Sequence, residues 1–589
     1  MTSVVRISII LCLLISCWVS VTIGFLLSPS TYINSRVPSC YRSDHCHFPR
    51  TASTTTDAKT NENKEDTKPS KREITSSIEL ESCWDDANNE AASLSARGDT
   101  QIIGSPNHPD FVHPVVRVLH DRKRKLQSSK EDPNAYSKDD KKKIALVIEG
   151  GGMRGCVTAG MVCAIDYLGL RDCVDIVYGS SAGSIIGAYF VTGQLPWFGP
   201  EVYYDQLTTA GKSFIDTNRL FRALGLGILN PKLLKDVLFR RNAGKPVLNL
   251  DFLLEETMQR TKPLDWDTFV ERQKTTQPLK VIASGLKREE AVVMTYEDKH
   301  FESIEELAMC MYASALLPGI AGPMAHILTN HRDATTDKPK FVFANNCRDG
   351  DYEPLADALV YAPIPYEVAV AEGATHMVVL RSKPDGGDVI GKGGNLGEKL
   401  VWSRFFLRKN KLPRIYRLLR KQLHKKLYAK NVLELNEAAV EGADPSQSKS
   451  SSKSSLPPTL TVAIPGSIEE VPRLEVGREA IFEGVRDGFA RAYDALVEDP
   501  ALRGKGYEAA REYFPDEILD YDPHEMLSLQ RKQRSPPQES AFETYLAQSG
   551  VWPEVWKGRS KPPLGESSDR AAATKPGGIP EESANGLAR

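Results

Sequence analysis

Two apolar runs, each followed by a turn of small residues and an apolar helical stretch, organise the central part of the chain. The first run, Ile144–Ile148, is short and continuous, which predicts a strand buried on both faces. A glycine-rich turn at residues 150–155 follows, and residues 156–168 then place their apolar side chains on one helical face. Residues 175–178 predict a second strand, which leads through a turn at 179–183 into a second helix. This order predicts an α/β fold with a mainly parallel central sheet.

The second turn has the pattern of a nucleophile elbow. Residues 179–183 are Gly-Ser-Ser-Ala-Gly, which fits Gly-x-Ser-x-Gly around Ser181. Gly179 and Gly183 allow the strand and the helix to approach closely, and the positive end of the helix favours an alkoxide on Ser181. The pattern therefore predicts Ser181 as a nucleophile. The alternative is a packing turn between strand and helix that has no chemical role.

The first turn allows two interpretations. Gly150, Gly152 and Gly155 satisfy Gly-x-Gly-x-x-Gly, a dinucleotide-binding fingerprint that also requires an acidic residue at the end of the second strand. Asp175 lies at the wrong end, because it begins that strand. Consecutive glycine N–H groups at a helix start also form an anion-binding nest, which beside Ser181 would be an oxyanion hole. We favour the oxyanion hole, with its candidate residues being Gly150, Gly151, Gly152, Met153, Arg154 and Gly155.

The two motifs together resemble the patatin-like phospholipase family. The resemblance covers about residues 141–384 and rests on Ile-Glu-Gly-Gly-Gly-Met-Arg-Gly followed by Gly-Ser-Ser-Ala-Gly. It implies a three-layer α/β/α fold, a Ser-Asp dyad without histidine, and a glycerolipid or phospholipid substrate. It implies no metal and no cofactor. The ten cysteines agree with this expectation, because they show no Cys-x-x-Cys pair and no zinc-ligand spacing.

The resemblance also implies a catalytic aspartate, for which the chain has two candidates. Asp349 is followed by glycine, as in the family, but its eighth following residue is Asp357 rather than proline. Asp357 is followed by Ala358 instead of glycine, yet Pro365 stands at the family spacing. We predict Asp357 as the base, with Asp349 as the alternative. His376 also follows Asp357 in Ser-Asp-His order, but its interpretation as a strand-end histidine is favoured.

These residues predict a serine acyl hydrolase that releases fatty acid through an acyl-Ser181 intermediate. Ala358 in place of glycine leaves two alternatives open. One is a membrane-docking protein with a silent dyad, and the other is a lipid transacylase. The Ala-Ser-x-x-x-Pro segment at residues 313–318 also resembles the family.

The amino terminus predicts a targeting segment. Arg6 precedes an apolar run, and small residues near Gly24 suit a cleavage site, so residues 1–24 predict a secretory signal peptide. An uncleaved membrane anchor is the alternative. The following stretch, which begins at Phe25, is rich in Ser and Thr. A signal followed by such a stretch resembles the two-part plastid address of algae with secondary plastids, so we also consider a plastid destination.

The segment from Trp402 to Lys430 is basic and has apolar residues at helical spacing. This pattern suits an anionic membrane surface. The alternative is a helix that packs on the domain and leaves a charged outer face. Nucleic acid is not an expected partner, because 75 basic and 77 acidic residues nearly balance and no recognition motif occurs. The sequence predicts no oligomeric state.

The predicted organisation has eight parts. They are a signal peptide or anchor (1–24), a low-complexity disordered segment (25–107), a lead-in (108–140), the catalytic domain (141–385), a basic amphipathic extension (386–440), a Ser/Lys linker (441–460), a helical carboxyl-terminal segment (461–530) and a disordered tail (531–589).

Overall fold

The computed structural model describes eight stretches of the chain, residues 112–128, 140–219, 246–332, 339–342, 352–385, 396–443, 456–532 and 540–549. The predicted signal peptide, the segment 25–107, most of the predicted Ser/Lys linker and Asp349 lie outside them.

The described strands are β1 (Ile144–Ile148), β2 (Ile176–Ser180), β3 (Leu279–Gly285), β4 (Glu290–Met294), β5 (Ala325–Arg332), β6 (Pro339–Val342), β7 (Tyr352–Ala356), β8 (His376–Leu380) and β9 (Thr459–Val462). The α-helices are α1 (Pro114–Ser128), α2 (Gly155–Tyr167), α3 (Ala182–Thr192), α4 (Phe198–Glu201), α5 (Thr208–Ala210), α6 (Trp266–Thr275), α7 (Ile304–Ala315), α8 (Tyr366–Ala371), α9 (Leu396–Trp402), α10 (Pro413–Arg420), α11 (Leu423–Ala443), α12 (Arg478–Leu496), α13 (Gly506–Tyr513), α14 (Pro523–Lys532) and α15 (Ala541–Ser549). Wider π-helical turns occur at Val202–Leu207, Phe252–Thr261 and Ser403–Lys409.

The nine described strands form one mixed sheet in the order β6-β5-β7-β3-β2-β1-β8-β9, with β4 paired to β3. The five strands β3, β2, β1, β8 and β9 are parallel to one another. The strands β4, β5, β6 and β7 form an antiparallel extension on β3. Parallel strands at the centre require helical crossovers, which cover both faces of the sheet.

Strand β1 shows how the two faces are filled. Ile144, Leu146 and Ile148 pack in one cluster with α2, α3 and α12. Ala145 and Val147 point the other way and pack with α8 and α11. All five residues are buried, as expected for a central strand with helices on both sides. The predicted three-layer α/β/α fold with a mainly parallel sheet is therefore confirmed.

The sheet extends beyond the predicted end of the catalytic domain at residue 385. Strand β9 pairs in parallel with β8, with Thr459 opposite Met377 and Val462 opposite Leu380. Its first residues lie in the region predicted as a linker, so that prediction is wrong there. A run of four residues is too short for a clear strand signal, although threonine and valine favour strands, and burial between β8 and the flanking layers decides the outcome.

The carboxyl-terminal helix α12 packs across α2 at very short range. A Cβ atom on Gly160 would lie 1.9 Å from the carbonyl oxygen of Val485, and one on Gly488 would lie 1.9 Å from that of Val157. Both helices therefore need glycine where their backbones meet. This contact joins the region around α12 to the central domain.

Helix α1 is fixed to the domain by a buried arginine. Arg122 is buried and forms ion pairs with Asp140 at 2.9 Å and with Asp175 at 2.6 Å. Asp175 also accepts a hydrogen bond from the N–H of Ile144 at 2.7 Å. The lead-in is thus tied to the amino-terminal ends of β1 and β2.

The apolar residues of the basic extension pack on the domain. Trp402, Phe405, Phe406, Ile415, Leu418, Leu419 and Leu423 are buried in one cluster with Met324 and Ala356. Arg408, Arg417 and Arg420 are exposed on the outside. Of the two sequence-based interpretations of the apolar face, the packed helix is the one observed. No helix in the described stretches combines the length and the apolar character needed to cross a bilayer.

The substitution Gly488→Ala tests the helix crossing. Helix propensity alone predicts that alanine stabilises the helix by about 1 kcal/mol. The backbone contact predicts the opposite sign, a loss of about 1–3 kcal/mol in the free energy of unfolding. Chemical denaturation measures this, with Ala480→Gly on the exposed face of α12 reporting the propensity effect alone. A more stable Gly488→Ala protein would refute the close crossing.

Candidate active site

Ser181 lies in a strained turn between β2 and α3. Its φ of 51° and ψ of −124° fall outside the regions that non-glycine residues favour. A Cβ on Gly179 would lie 2.5 Å from the Cα of Ser184, and one on Gly183 would lie 2.2 Å from the carbonyl oxygen of Ile148. Both elbow glycines are therefore required by close backbone contacts. Ser181 occupies the N-cap position of α3, and its side chain makes no capping hydrogen bond there.

Asp357 follows β7 and faces the serine. Its Oδ2 accepts a hydrogen bond from the Ser181 hydroxyl at 3.0 Å. Its Oδ1 accepts the N–H of Leu359 at 2.9 Å, which caps a short 3₁₀ helix. Ala358, where the family has glycine, is buried and does not adopt a positive φ, so alanine fits the backbone. The structure thus brings the two predicted dyad residues together, and their catalytic roles stay predictions.

The environment of Asp357 raises its pKa to about 6, mainly because burial penalises the carboxylate. The N–H of Leu359, the hydroxyl of Ser181 and the positive charge of Arg473 oppose this rise. A carboxyl group with this pKa is ionised at neutral pH and is a stronger base than an ordinary aspartate.

The glycine turn lies directly against the serine. A Cβ on Gly150 would lie 2.6 Å from the Cβ of Ser181. The N–H of Gly150 donates to Ser180 Oγ at 3.2 Å, and the N–H of Met153 donates to the carbonyl of Arg473 at 3.0 Å.

Of the predicted oxyanion residues, Gly150 and Met153 thus use their N–H groups within the protein. Gly155 does the same, because its N–H bonds to carbonyls of the preceding turn. For the N–H groups of Gly151 and Gly152, the described part of the chain supplies no acceptor. These two groups are the candidate oxyanion donors.

Arg154 is buried instead of solvated. Its guanidinium forms an ion pair with Glu470 and donates from Nε to Ser382 Oγ at 3.2 Å. Ser382 Oγ in turn donates to the carbonyl of Gly150 at 2.8 Å. Arg154 therefore holds the glycine turn in place by linking it to the segments after β8 and β9.

Ser314 positions the nucleophile from the other side. Its Oγ accepts the N–H of Ser181 at 2.8 Å. Ser314 belongs to the Ala-Ser-x-x-x-Pro segment, and the carbonyl of Leu316 in the same segment accepts the N–H of Asp357 at 3.0 Å. One segment thus supports both members of the dyad, a role that the sequence pattern did not show.

Comparison with known proteins bears on this geometry. Residues 146–370 match the family model of patatin-like phospholipase. No curated protein sequence matches the chain. The chain carries a patatin-like phospholipase domain. The family resemblance inferred from the two glycine motifs is thereby confirmed, and the domain supports lipid hydrolase activity.

Among solved structures, the chain is similar to human GIVD cytosolic phospholipase A2 in complex with methyl gamma-linolenyl fluorophosphonate, with 12% identity and a TM-score of 0.21. That match covers 47% of this chain and only 45% of the other. The chain is also similar to ExoU of Pseudomonas aeruginosa in complex with SpcU, with 14% identity over 69% of this chain and 77% of that chain and a TM-score of 0.20. For VipD of Legionella pneumophila the identity is 11% over 69% of this chain and 79% of that chain, and the TM-score is 0.23. TM-scores this low do not establish a shared overall structure.

Two residues considered as alternatives, His376 and Asp175, lie away from the dyad. His376 begins β8 opposite Ile144, at the amino-terminal edge of the sheet. The length of a five-residue strand, about 13 Å, separates that edge from the glycine turn. Asp175 lies at the same edge and is paired with Arg122, so it is not placed to hold a ribose. Asp349, the alternative base, lies outside the described residues.

The pKa of Asp357 predicts a pH profile. A base accepts a proton only when ionised, so kcat/KM for a neutral ester should rise through pH 6 and level off above pH 7. Below the midpoint the rate should fall about tenfold per pH unit. Asp166, whose burial also raises its pKa to about 6, lies near the far end of α2 and provides a control. Asp166→Asn should leave the midpoint of the pH profile near pH 6. A midpoint near pH 4 in the wild type would contradict the assignment of Asp357 as the base.

Proposed function

We propose that this chain is a serine acyl hydrolase that releases fatty acid from glycerolipids or lysophospholipids. The observation that supports the proposal best is the 3.0 Å hydrogen bond between the Ser181 hydroxyl and Asp357 at a buried, strained elbow. The patatin-like domain supports a lipid ester as the substrate. That the lipid is a glycerolipid or a lysophospholipid is part of our proposal.

The first half-reaction acylates the serine. Ser181 Oγ transfers its proton to Asp357 Oδ2 as it attacks the ester carbonyl carbon. The N–H groups of Gly151 and Gly152 hold the oxyanion of the tetrahedral intermediate, aided by the positive end of α3. Asp357 then returns the proton to the departing alcohol oxygen. The products are the deacylated alcohol and acyl-Ser181.

The second half-reaction releases the acid. Asp357 removes a proton from a water molecule that attacks the acyl-Ser181 carbonyl, and the same N–H groups hold the second oxyanion. Collapse of this intermediate breaks the bond to Ser181 Oγ, which regains its proton from Asp357. If a lipid hydroxyl takes the place of water, the same steps transfer the acyl chain to a second lipid.

Fatty-acid release from mixed phospholipid and monoacylglycerol vesicles tests the proposal. Ser181→Ala should lower the rate at least about 10³-fold, because no acyl-enzyme can form. The matched control is Ser213→Ala, which replaces an exposed serine outside the candidate site. This variant should keep the wild-type rate. Full activity of Ser181→Ala would refute the mechanism.

Product analysis separates the alternatives. Free fatty acid indicates hydrolysis, and an acyl chain found on a second lipid indicates transfer. Vesicle binding without any turnover by the folded wild-type chain would favour a docking protein with a silent dyad. Alanine at position 358 fits the observed backbone, which supports a working dyad over a silent one.

We also propose that the basic extension binds an anionic membrane surface through its charged outer face. Arg408, Arg417 and Arg420 are exposed there, and the neighbouring helix α9 exposes Leu396 by 62% and Leu400 by 47%. Exposed leucines beside clustered arginines suit an anionic interface. The predicted entry into the secretory pathway through residues 1–24, with a plastid as an alternative destination, stays a separate proposal.

Replacing Arg408, Arg417 and Arg420 by alanine tests the membrane proposal. At about 1 kcal/mol per basic residue, the triple variant should bind phosphatidylglycerol vesicles about 100-fold more weakly. A vesicle sedimentation assay measures this.

The control replaces Arg260, Lys505 and Arg511, which are exposed on other elements. It removes the same charge and should keep most of the binding. Equal losses in both triple variants would show that net charge, and not this face, determines binding.

A further inference from the structure

A loop outside the family-matched region lies on the glycine turn. Arg473 follows β9 and precedes α12, and its carbonyl accepts the N–H of Met153 at 3.0 Å. A Cβ on Gly152 would lie 2.7 Å from that carbonyl oxygen and 3.8 Å from the Cβ of Arg473. Burial raises the pKa of Asp357, and the charge of Arg473 partly offsets that rise. Arg473 is therefore at the edge of the dyad.

The side chain of Arg473 faces solvent, although protein surrounds it. It is exposed in the described structure, yet burial is the main cause of its lowered pKa, followed by the charge of Arg154. Among the described residues, no hydrogen-bond acceptor or carboxylate occupies its guanidinium, which is therefore available to a ligand.

Lys383 approaches the glycine turn from another segment. It follows Ser382, whose Oγ donates to the carbonyl of Gly150 at 2.8 Å. Its ammonium group lies 5.2 Å from the ring centre of Tyr428. Burial, with the charges of Arg154 and Arg473, lowers the pKa of Lys383 to about 7.

The acids nearest to these two basic residues have other partners. Glu470 is paired with Arg154, and Glu149 accepts the N–H of Ser382 at 2.7 Å. Among the described residues, no carboxylate lies within ion-pair distance of Arg473 or Lys383. Two basic side chains that flank the glycine turn without an ion-pair partner among the described residues suit an anion.

We propose that Arg473 and Lys383 bind the phosphate of a glycerophospholipid while its acyl ester lies on Ser181. The inference rests on the proposed function and narrows its substrate to phosphate-bearing lipids. The planar guanidinium of arginine suits two phosphate oxygens. A bound phosphate favours the protonated form of Lys383, whose ammonium group then adds a point charge. In a glycerophospholipid the phosphate is only a few bonds from the ester, so one molecule reaches both places. Arg154 is not the phosphate ligand, because Glu470 and Ser382 occupy its guanidinium.

The test compares two substrates on the same variants. For wild type, Arg473→Gln and Arg473→Lys, kcat/KM is measured at pH 7.5 for phosphatidylcholine and for monoacylglycerol in matched neutral micelles. Arg473→Gln should lower the ratio of phospholipid to neutral-lipid kcat/KM by about 10–100-fold, the usual effect of losing a hydrogen bond to a charged group. The loss should appear mainly in KM. Arg473→Lys should recover part of the ratio, and Arg511→Gln is an arginine control on an exposed helix.

An equal loss on both substrates would overturn the proposal, because Arg473 would then act only by holding the glycine turn or Asp357. An unchanged ratio would overturn it as well. If wild type hydrolyses neither lipid, the proposed function fails, and direct binding still tests the anion site. Inorganic phosphate is titrated into the full chain by calorimetry. Binding that Arg473→Gln weakens about tenfold or more supports the site, and binding unaffected by that variant refutes it. Phosphate binding without phospholipid preference would assign the site to free phosphate and refute the lipid proposal.

Discussion

The structure depends on one hydrogen bond between residues far apart in the chain. Ser181 donates to Asp357 across 176 positions, so the bond forms only when β2, β7 and the end of α7 are all in place. Removing the Asp357 carboxylate from water is unfavourable, and two donors and the charge of Arg473 compensate. The result is a carboxylate that stays ionised at neutral pH while its basicity is raised. Ser181 is in turn held at a strained φ by glycines that leave no room for a side chain.

The carboxyl-terminal part of the chain completes the domain. Strand β9 extends the parallel sheet beside β8, and α12 crosses α2 at two glycines. Between these two elements, Glu470 pairs with Arg154, and the carbonyl of Arg473 holds Met153. The glycine turn is therefore supported by a segment more than 300 positions away, outside the residues that match the family. This part of the chain contributes to the architecture of the candidate site itself.

Local patterns in the sequence were sufficient for part of this structure. Ile144–Ile148 and the two glycine turns have strong local signals, and the strand–turn–helix units appear where the patterns placed them. The spacing to proline typical of the family favoured Asp357 over Asp349 as the base, and the structure shows Asp357 hydrogen-bonded to the Ser181 hydroxyl. The contacts of Ser314, Ser382 and Arg473 could not be predicted from the sequence. Each joins residues far apart in the chain and produces no local pattern of apolar and polar positions. For the same reason the first residues of β9, a strand of only four residues, fell within a predicted linker. The amphipathic pattern between Trp402 and Lys430 was correct, but periodicity alone does not tell a membrane from a protein core.

The central claim is that Ser181 is the activated nucleophile of this site. The most direct measurement is to treat the folded chain with a fluorophosphonate, digest it and locate the adduct by peptide mass spectrometry. The account predicts one adduct per chain on Ser181, formed faster as pH rises through about 6 because Asp357 must be ionised. An adduct on another residue, or none on the folded chain with or without anionic vesicles, would contradict it.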